Sequence, residues 1–295
     1  MGKASQFGAE EREGRFVRQD STFRERAVEP VAGRYHLYVS LACPWAHRAI
    51  VVRRLKGLED AIGMTVVDPI RDDRGWRFGD DFPDPLHGWD YLSQAYDATD
   101  PHWSGRVTVP VLWDTVEERI VNNESADVIE LLNGSFDPVA EHPELDLYPE
   151  DLRAEMDPLM ERVYDTVNNG VYKAGFATSQ EAYEEAVGPL FETLDELEER
   201  LGDARPYLMG DRFTLADIRL FTTLVRFDAV YHGHFKCNVR RIVDYPGLQG
   251  LLRRIYHHEG IAETVDFDHI KRHYYVTHDQ INPTGIVPVG PALDL

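Results

Sequence analysis

The chain has 295 residues, enough for one large domain or two ordinary ones, and its hydrophobic share of 43% is ample for packed cores. Its net charge of −21 would repel a phosphate backbone, which argues against nucleic-acid binding. No apolar run reaches the roughly 18 residues of a membrane span, and residues 1–29 lack the apolar centre of a signal peptide. Two cysteines far apart in sequence fit a reducing compartment, so we expect a cytoplasmic protein without a membrane segment.

The first half of the chain alternates between strand-like and helix-like segments. Residues 1–33 carry alternating charges without apolar periodicity and are expected to form an irregular N-terminal arm. Residues 68–105 are a polar insertion, too long for an ordinary connection and therefore a candidate functional loop. The other segments predict an α/β domain over 34–134: strand 35–40, helix 46–55 with Gly57 as C-cap, strand 64–67, strand–turn–strand 107–114 in which Pro110 allows a cis peptide bond, hairpin turn 115–119, strand 120–121, and a helix beginning at 123–125.

The second half of the chain has helical patterns only. Residues 135–150 contain three prolines and mark a break in composition, which we take as a linker. Residues 151–270 repeat apolar side chains with helical period and predict an all-helical domain, in which Thr214 and Asp217 have the spacing of a capping box. Residues 271–295 are rich in proline and glycine and are expected to form an irregular tail.

Cys43 lies at the predicted junction between a strand and a helix. Unpaired backbone N–H groups and the positive end of a helix dipole favour a thiolate at such a position, and Pro44 fits the first position of a helix. His47 and Arg48 add positive charge within about one turn. Because the residue three positions after Cys43 is Ala46, no resolving cysteine lies nearby, and an external thiol must close any redox cycle. The alternative is a buried structural cysteine.

Seven sequence blocks follow one another between about residues 35 and 290. They are YVSLACPWAHR (38–48), VTVPVLWD (107–114), IVNNES (120–125), NNGVYKAGF (168–176), HFKCN (234–238), HIKRHYY (269–275) and INPTGIVP (281–288). Together they resemble the signature blocks of the glutathionyl-hydroquinone reductases, the xi class of glutathione transferases. The resemblance implies the fold of these enzymes, an α/β thioredoxin-like N-terminal domain followed by an all-α C-terminal domain, and a homodimer.

The resemblance also implies a reaction, the reduction of an S-glutathionyl-hydroquinone in two thiol steps. Cys43 would attack the glutathione sulfur, release the hydroquinone and become a mixed disulfide, which a second glutathione would reduce. Glutathione is therefore the expected co-substrate. An acid-rich, lysine-poor composition is also typical of adaptation to high salt, so another γ-glutamyl thiol stays open as an alternative.

Four residues are expected, by the same resemblance, to bind the backbone of glutathione. Val109 and Pro110 would present a free backbone edge that pairs with the cysteinyl part of the ligand. Glu124 and Ser125, at the predicted start of a helix, would bind the γ-glutamyl end, although both side chains could equally serve as helix caps.

Aromatic and basic side chains complete the predicted site. Trp76 and Arg106 would close over the glutathione; the alternatives are a loop aromatic packed on the core and a solvated arginine. Tyr172, with Tyr274 or Tyr275, would line the hydroquinone pocket and supply a proton or hydrogen bond to the leaving ring. The sequence does not decide between the two adjacent tyrosines.

Other interpretations are weighed on the same residues. His232, His234 and Cys237 resemble a metal cluster in spacing, but no carboxylate stands at ligand spacing, so we expect no metal and a structural role for Cys237. A different glutathione-dependent thiol reductase, such as a dehydroascorbate reductase or a thiol transferase, would use the same Cys43. A non-catalytic transferase-like scaffold would have lost that cysteine, which is present here.

Overall fold

The computed structural model describes residues 11–203 and 205–295, which fold as two compact units. Of the described residues, the first unit contains 19–146 and 263–273, and the second contains 11–18, 147–262 and 274–295. The strands are β1 (Glu11–Arg12), β2 (Arg15–Phe16), β3 (Tyr35–Val39), β4 (Ile62–Val66), β5 (Val111–Asp114) and β6 (Arg119–Asn122). The α-helices are α1 (Pro44–Leu55), α2 (Ser93–Thr99), α3 (Ser125–Glu130), α4 (Arg153–Val163), α5 (Gly170–Gly175), α6 (Gln180–Leu201), α7 (Leu215–Arg226), α8 (Pro246–Tyr256) and α9 (Phe267–Thr277).

The first unit is built on a four-stranded mixed sheet in the order β4–β3–β5–β6. β3 is an interior strand whose five residues are all buried, as its continuous apolar and aromatic run predicts. Leu37 lies opposite Met64 of the parallel strand β4 and opposite Leu112 of the antiparallel strand β5. The predicted strand–helix–strand order around Cys43 is confirmed, and it sets the thiol at the end of the sheet where α1 begins.

Two features of the first unit differ from the prediction. Helix α2 lies inside the 68–105 insertion, where no helix was expected. Its signal in the sequence is weak, because the helix has only seven residues and buries only Ala95 and Tyr96. Residues 107–109 do not form a strand, because the Tyr96 hydroxyl bonds the backbone of Thr108 instead: it accepts from the Thr108 N–H (3.1 Å) and donates to the Thr108 carbonyl (2.9 Å). The Val109–Pro110 peptide bond is cis, as the sequence allowed.

The two ends of the chain are more regular than the sequence predicted. β1 and β2 pair as a hairpin within the expected irregular arm, and the two turn residues, Glu13 and Gly14, have positive φ angles of 54° and 80°. The predicted irregular tail begins at 271, but α9 continues to Thr277 because Ile270 and Tyr274 are spaced on one helical face and are both buried.

Helices dominate the second unit, in agreement with the predicted all-α domain. The 22-residue helix α6 is amphipathic, and its N-cap Ser179 accepts a hydrogen bond from the Ala182 N–H (3.2 Å). The capping box predicted from Thr214 and Asp217 begins α7. Throughout 11–203 and 205–295, no helix is long and apolar enough to cross a membrane.

Replacing Asp217 by alanine is expected to destabilise the protein strongly. Its fully buried carboxylate accepts from the Leu208 N–H (2.8 Å), the Thr214 N–H (2.9 Å) and the Thr214 hydroxyl (2.9 Å). Burial raises the pKa of Asp217 to about 6, so the carboxylate is still largely ionised at neutral pH. Alanine leaves two buried N–H groups without an acceptor, a loss of about 3 kcal/mol in the free energy of unfolding, measurable by thermal or denaturant unfolding.

Asp244 provides the matched control. It closes a similar capping box by accepting from the Arg241 N–H (3.1 Å), but its carboxylate is exposed to solvent. Asp244→Ala should therefore change the stability much less than Asp217→Ala. Equal losses for the two variants would contradict the assigned role of buried capping.

Candidate active site

Cys43 is the N-cap residue of α1 and has extended backbone angles (φ −79°, ψ 121°). Its side chain is partly exposed, and its S–H points to the Val109 carbonyl oxygen at 3.6 Å. Pro44 is the first helical residue, as predicted. The thiol therefore lies at the positive end of α1, with access to solvent, beside the segment that leads into β5.

The two basic residues after Cys43 are buried within the first unit. The His47 Nε2 atom lies 2.8 Å from the Thr264 hydroxyl, at the start of the 263–273 segment. Arg48 donates from Nη1 to the Ser125 hydroxyl at 3.4 Å. Arg48 thus connects α1 to the first residue of α3 and keeps a cation in the helix that carries Cys43.

The segment before β5 is held by the Tyr96 side chain of α2. Besides its two bonds to Thr108, the Tyr96 hydroxyl accepts from the Asn123 side-chain amide (3.1 Å), just before α3. Among the residues that the structure describes, we find no acceptor for the Val109 N–H. Val109, next to Cys43, therefore has the free backbone donor that recognition of an extended peptide requires.

Glu124 is the N-cap of α3, so the capping interpretation is correct for this residue. One carboxylate oxygen accepts from the Ala126 N–H (3.1 Å) and the other from the Ser21 hydroxyl (2.9 Å). Ser125 is buried and accepts from Arg48. The predicted binding of a γ-glutamyl group by Glu124 and Ser125 stays a prediction.

Trp76 and Arg106 contact other parts of the first unit. Trp76 is only 4% exposed and stacks on His273 with ring centroids 4.9 Å apart, and the Arg71 guanidinium lies 4.8 Å from its ring centroid. The backbone N–H of Arg106 donates to the Gln19 side chain (3.0 Å). The packing alternative thus describes Trp76 in this structure, and a role of either side chain toward glutathione stays a prediction.

The second unit contains a cluster of three tyrosine hydroxyls. The Tyr274 hydroxyl is hydrogen-bonded to that of Tyr172 and also lies 2.9 Å from that of Tyr231. Exposure decreases along the chain of hydroxyls, from 9% at Tyr172 to 1% at Tyr274 and 0% at Tyr231. Tyr275 is not part of it, because its hydroxyl donates to the Ala229 carbonyl (3.4 Å).

Burial sets the protonation state of Tyr274. It raises the pKa of Tyr274 well above 10, and the neighbouring phenols of Tyr172 and Tyr231 raise it further. The hydroxyl of Tyr274 therefore remains protonated at neutral pH. Of the two adjacent tyrosines that the sequence could not separate, Tyr274 is the one that bonds to Tyr172.

Sequence reasoning missed two members of this region, Tyr231 and Arg18. Tyr231 lies three residues before the block HFKCN and gave no signal of its own. Arg18 belongs to the expected irregular arm, but its guanidinium carbon lies 5.2 Å from the Tyr172 ring centroid. A local pattern does not reveal such a contact across about 150 residues of sequence.

The second cysteine and its neighbouring histidines belong to the core of the second unit. Cys237 is fully buried, its Sγ lies 3.9 Å from the Val171 carbonyl oxygen, and burial raises its pKa, so the predicted structural role is confirmed. His234 and His278 approach to 3.2 Å between ring nitrogens, and burial lowers the pKa of His234 to about 4. Within the described ranges, no three His, Cys, Asp or Glu side chains are placed to hold a metal ion.

Comparison with protein families finds a matching domain model in each half of the chain. Residues 42–134 match the family model of the glutathione S-transferase N-terminal domain, and residues 180–254 match that of the C-terminal domain. The first match contains Cys43, Val109, Glu124 and Ser125. Fold and family models thus define a glutathione transferase.

Individual relatives show which class of glutathione transferase the chain resembles. Glutathionyl-hydroquinone reductase PcpF of Sphingobium chlorophenolicum is 56% identical, over 96% of this chain and 91% of its own. The crystal structure of glutathione S-transferase Xi from Phanerochaete chrysosporium has a TM-score of 0.92 at 50% identity, covering 95% of this chain and 93% of its own. The glutathione-bound structure of YqjG from Escherichia coli K-12 has a TM-score of 0.87 at 56% identity, covering 90% and 87%. The chain belongs to the xi class of the glutathione transferase family, the class of the glutathionyl-hydroquinone reductases.

Proposed function

We propose that the protein reduces S-glutathionyl-hydroquinones to hydroquinones with glutathione as the reductant. The observation that carries the proposal is the position of Cys43: a partly exposed thiol at the N-terminus of α1, 3.6 Å from a backbone carbonyl of the segment with a free N–H. Cys237, the other thiol of the chain, is fully buried. The relatives named glutathionyl-hydroquinone reductases support the choice of substrate.

The first step forms a mixed disulfide. The Cys43 thiolate attacks the glutathione sulfur, an S–S bond forms, and the bond between that sulfur and the ring carbon breaks. The electron pair of the broken bond stays with the ring carbon, which is reduced and requires a proton. We assign this proton to the Tyr172 hydroxyl, the most exposed of the three linked tyrosines, with Tyr274 hydrogen-bonded to it.

The second step regenerates the thiol. A glutathione thiolate attacks the mixed disulfide at its glutathione sulfur and releases Cys43 as a thiolate, and the proton lost by this glutathione replaces the one that Tyr172 gave to the ring carbon. The products of the cycle are the hydroquinone and oxidised glutathione. This step needs no proton donor to carbon, so it depends on Cys43 and the glutathione-binding residues but not on Tyr172.

The residues proposed to hold glutathione all belong to the first unit. The Val109 N–H and the backbone beside Pro110 would pair with the cysteinyl residue of the ligand. Glu124 and Ser125 would bind its γ-glutamyl end at the start of α3. Trp76 and Arg106 would close over the bound glutathione.

Substrate profiling tests this function. The specificity constant kcat/KM of the wild-type protein would be measured with glutathionyl-menadiol, dehydroascorbate and a mixed disulfide of glutathione, each with glutathione or γ-glutamylcysteine as reductant. We expect glutathionyl-menadiol to be preferred by about a hundredfold or more, because only that substrate needs a proton at a carbon atom, which is the role assigned to Tyr172. A preference for dehydroascorbate or the disulfide would contradict the proposal in favour of another thiol reductase.

We further propose that the protein acts in the cytoplasm as a homodimer. Both cysteines are free thiols in the structure, which fits a compartment where glutathione is kept reduced. The homodimer is proposed because the resemblance to the xi class of glutathione transferases implies one. Sedimentation velocity should give twice the chain mass of 33.8 kDa, and cell fractionation should recover the protein with a cytoplasmic marker. A single-chain mass at micromolar concentration would contradict the dimer.

A further inference from the structure

The hairpin that precedes Arg18 is fixed to the helices of the second unit. Arg15 forms a two-bond ion pair with Glu185 of α6, at 2.8 and 2.9 Å. The Gly14 carbonyl accepts from the Thr178 N–H (3.0 Å), just before the same helix. Phe16 is buried, and its ring lies 6.3 Å from that of Tyr172. Arg18 therefore follows an anchored segment.

Arg18 itself is held over Tyr172. Its Nε donates to the Asn169 side-chain oxygen at 2.8 Å, and the Asn169 carbonyl accepts from the Tyr172 N–H at 2.9 Å. The guanidinium carbon lies 5.2 Å from the Tyr172 ring centroid and 5.4 Å from that of Phe16. One asparagine thus links the cation to the same helical turn that carries the tyrosine.

We propose that Arg18 is a positioning residue of the hydroquinone-releasing step, whose guanidinium stabilises the charge that Tyr172 acquires when it gives up its proton. The inference rests on the proposed function. Before the transfer, the cation faces a neutral ring and interacts only with its quadrupole. After the transfer, it faces a phenolate whose charge is delocalised into the ring, and the attraction becomes that of two opposite charges.

Because the guanidinium attracts the phenolate more strongly than the neutral ring, we expect Arg18 to raise kcat. An interaction that strengthens as the proton leaves lowers the barrier of that step without strengthening the binding of the substrate. The Tyr274 hydroxyl should also lower this barrier, because it is hydrogen-bonded to the Tyr172 hydroxyl and can donate to the developing phenolate oxygen. Only the step that protonates the ring carbon should depend on Arg18.

Single-turnover kinetics can separate the two half-reactions. Hydroquinone release from glutathionyl-menadiol and glutathione-dependent reduction of the preformed Cys43 mixed disulfide would be followed in wild type, Arg18→Gln, Arg18→Lys and Arg15→Gln. We expect Arg18→Gln to slow hydroquinone release by about tenfold with little change in KM, and Arg18→Lys to recover most of that loss. Reduction of the mixed disulfide should be unchanged in all variants.

Arg15→Gln is the matched control, because Arg15 belongs to the same hairpin but pairs with Glu185. Equal effects of Arg15→Gln and Arg18→Gln would overturn the proposal, and so would an Arg18→Gln loss of the same size in a Tyr172→Phe background. Should the glutamine variant be unfolded, Arg18→Met keeps the apolar stem on the rings and removes the charge. If wild type releases no hydroquinone, the proposed function fails instead.

Discussion

Replacing Cys43 by serine is expected to lower hydroquinone release by about a thousandfold or more. A serine hydroxyl is not ionised at neutral pH, and it cannot form the S–S bond that accepts the glutathionyl group. Serine is nevertheless a favourable N-cap residue, so α1 should remain intact or gain stability. The variant therefore removes the chemistry while leaving the local structure in place.

Intact mass spectrometry measures the same prediction directly. After incubation with glutathionyl-menadiol, wild type should gain the mass of one glutathionyl group, which added thiol removes, and Cys43→Ser should gain none. Cys237→Ala is the control thiol variant and should retain the adduct, because Cys237 is fully buried. Wild-type release rates in Cys43→Ser, or loss of the adduct in Cys237→Ala, would contradict the assignment of the nucleophile.

The position of Cys43 could be predicted because the signals that fix it are local. β3 is a continuous apolar run, Pro44 starts a helix, and the spacing of Thr214 and Asp217 begins another. Each of these signals lies within a few residues of the feature that it predicts.

The missed features depend on side chains that meet across long sequence separations. Tyr96 removes Thr108 from the sheet by bonding both of its backbone groups, and no periodic pattern reports such a bond. Arg18 reaches Tyr172 only because the hairpin is anchored on α6. Trp76 shows the same limit, since its partner His273 comes about 200 residues later in the chain.

Tyr172→Phe is expected to slow hydroquinone release by about a hundredfold, the usual contribution of a positioned general acid. Phenylalanine keeps the ring and its contacts with Phe16 and Phe235, so the loss should arise from the hydroxyl alone. Reduction of the preformed mixed disulfide should proceed at the wild-type rate. A parallel loss in both half-reactions would indicate a structural defect and contradict the role in proton donation.

The neighbouring hydroxyls predict a graded series of losses in the rate of hydroquinone release. Tyr274→Phe removes the hydrogen bond to Tyr172 and should slow release by about tenfold, because a charge-assisted bond to the phenolate is lost. Since burial raises the pKa of Tyr274 well above 10, its hydroxyl stays protonated between about pH 6 and 9, and this variant should keep the shape of the wild-type pH profile. Tyr275→Phe, whose hydroxyl bonds to Ala229 instead, should release hydroquinone at nearly the wild-type rate. A larger loss for Tyr275→Phe than for Tyr274→Phe would reverse the assignment, because the hydrogen-bonded chain of tyrosines would then not be the path that supplies the proton.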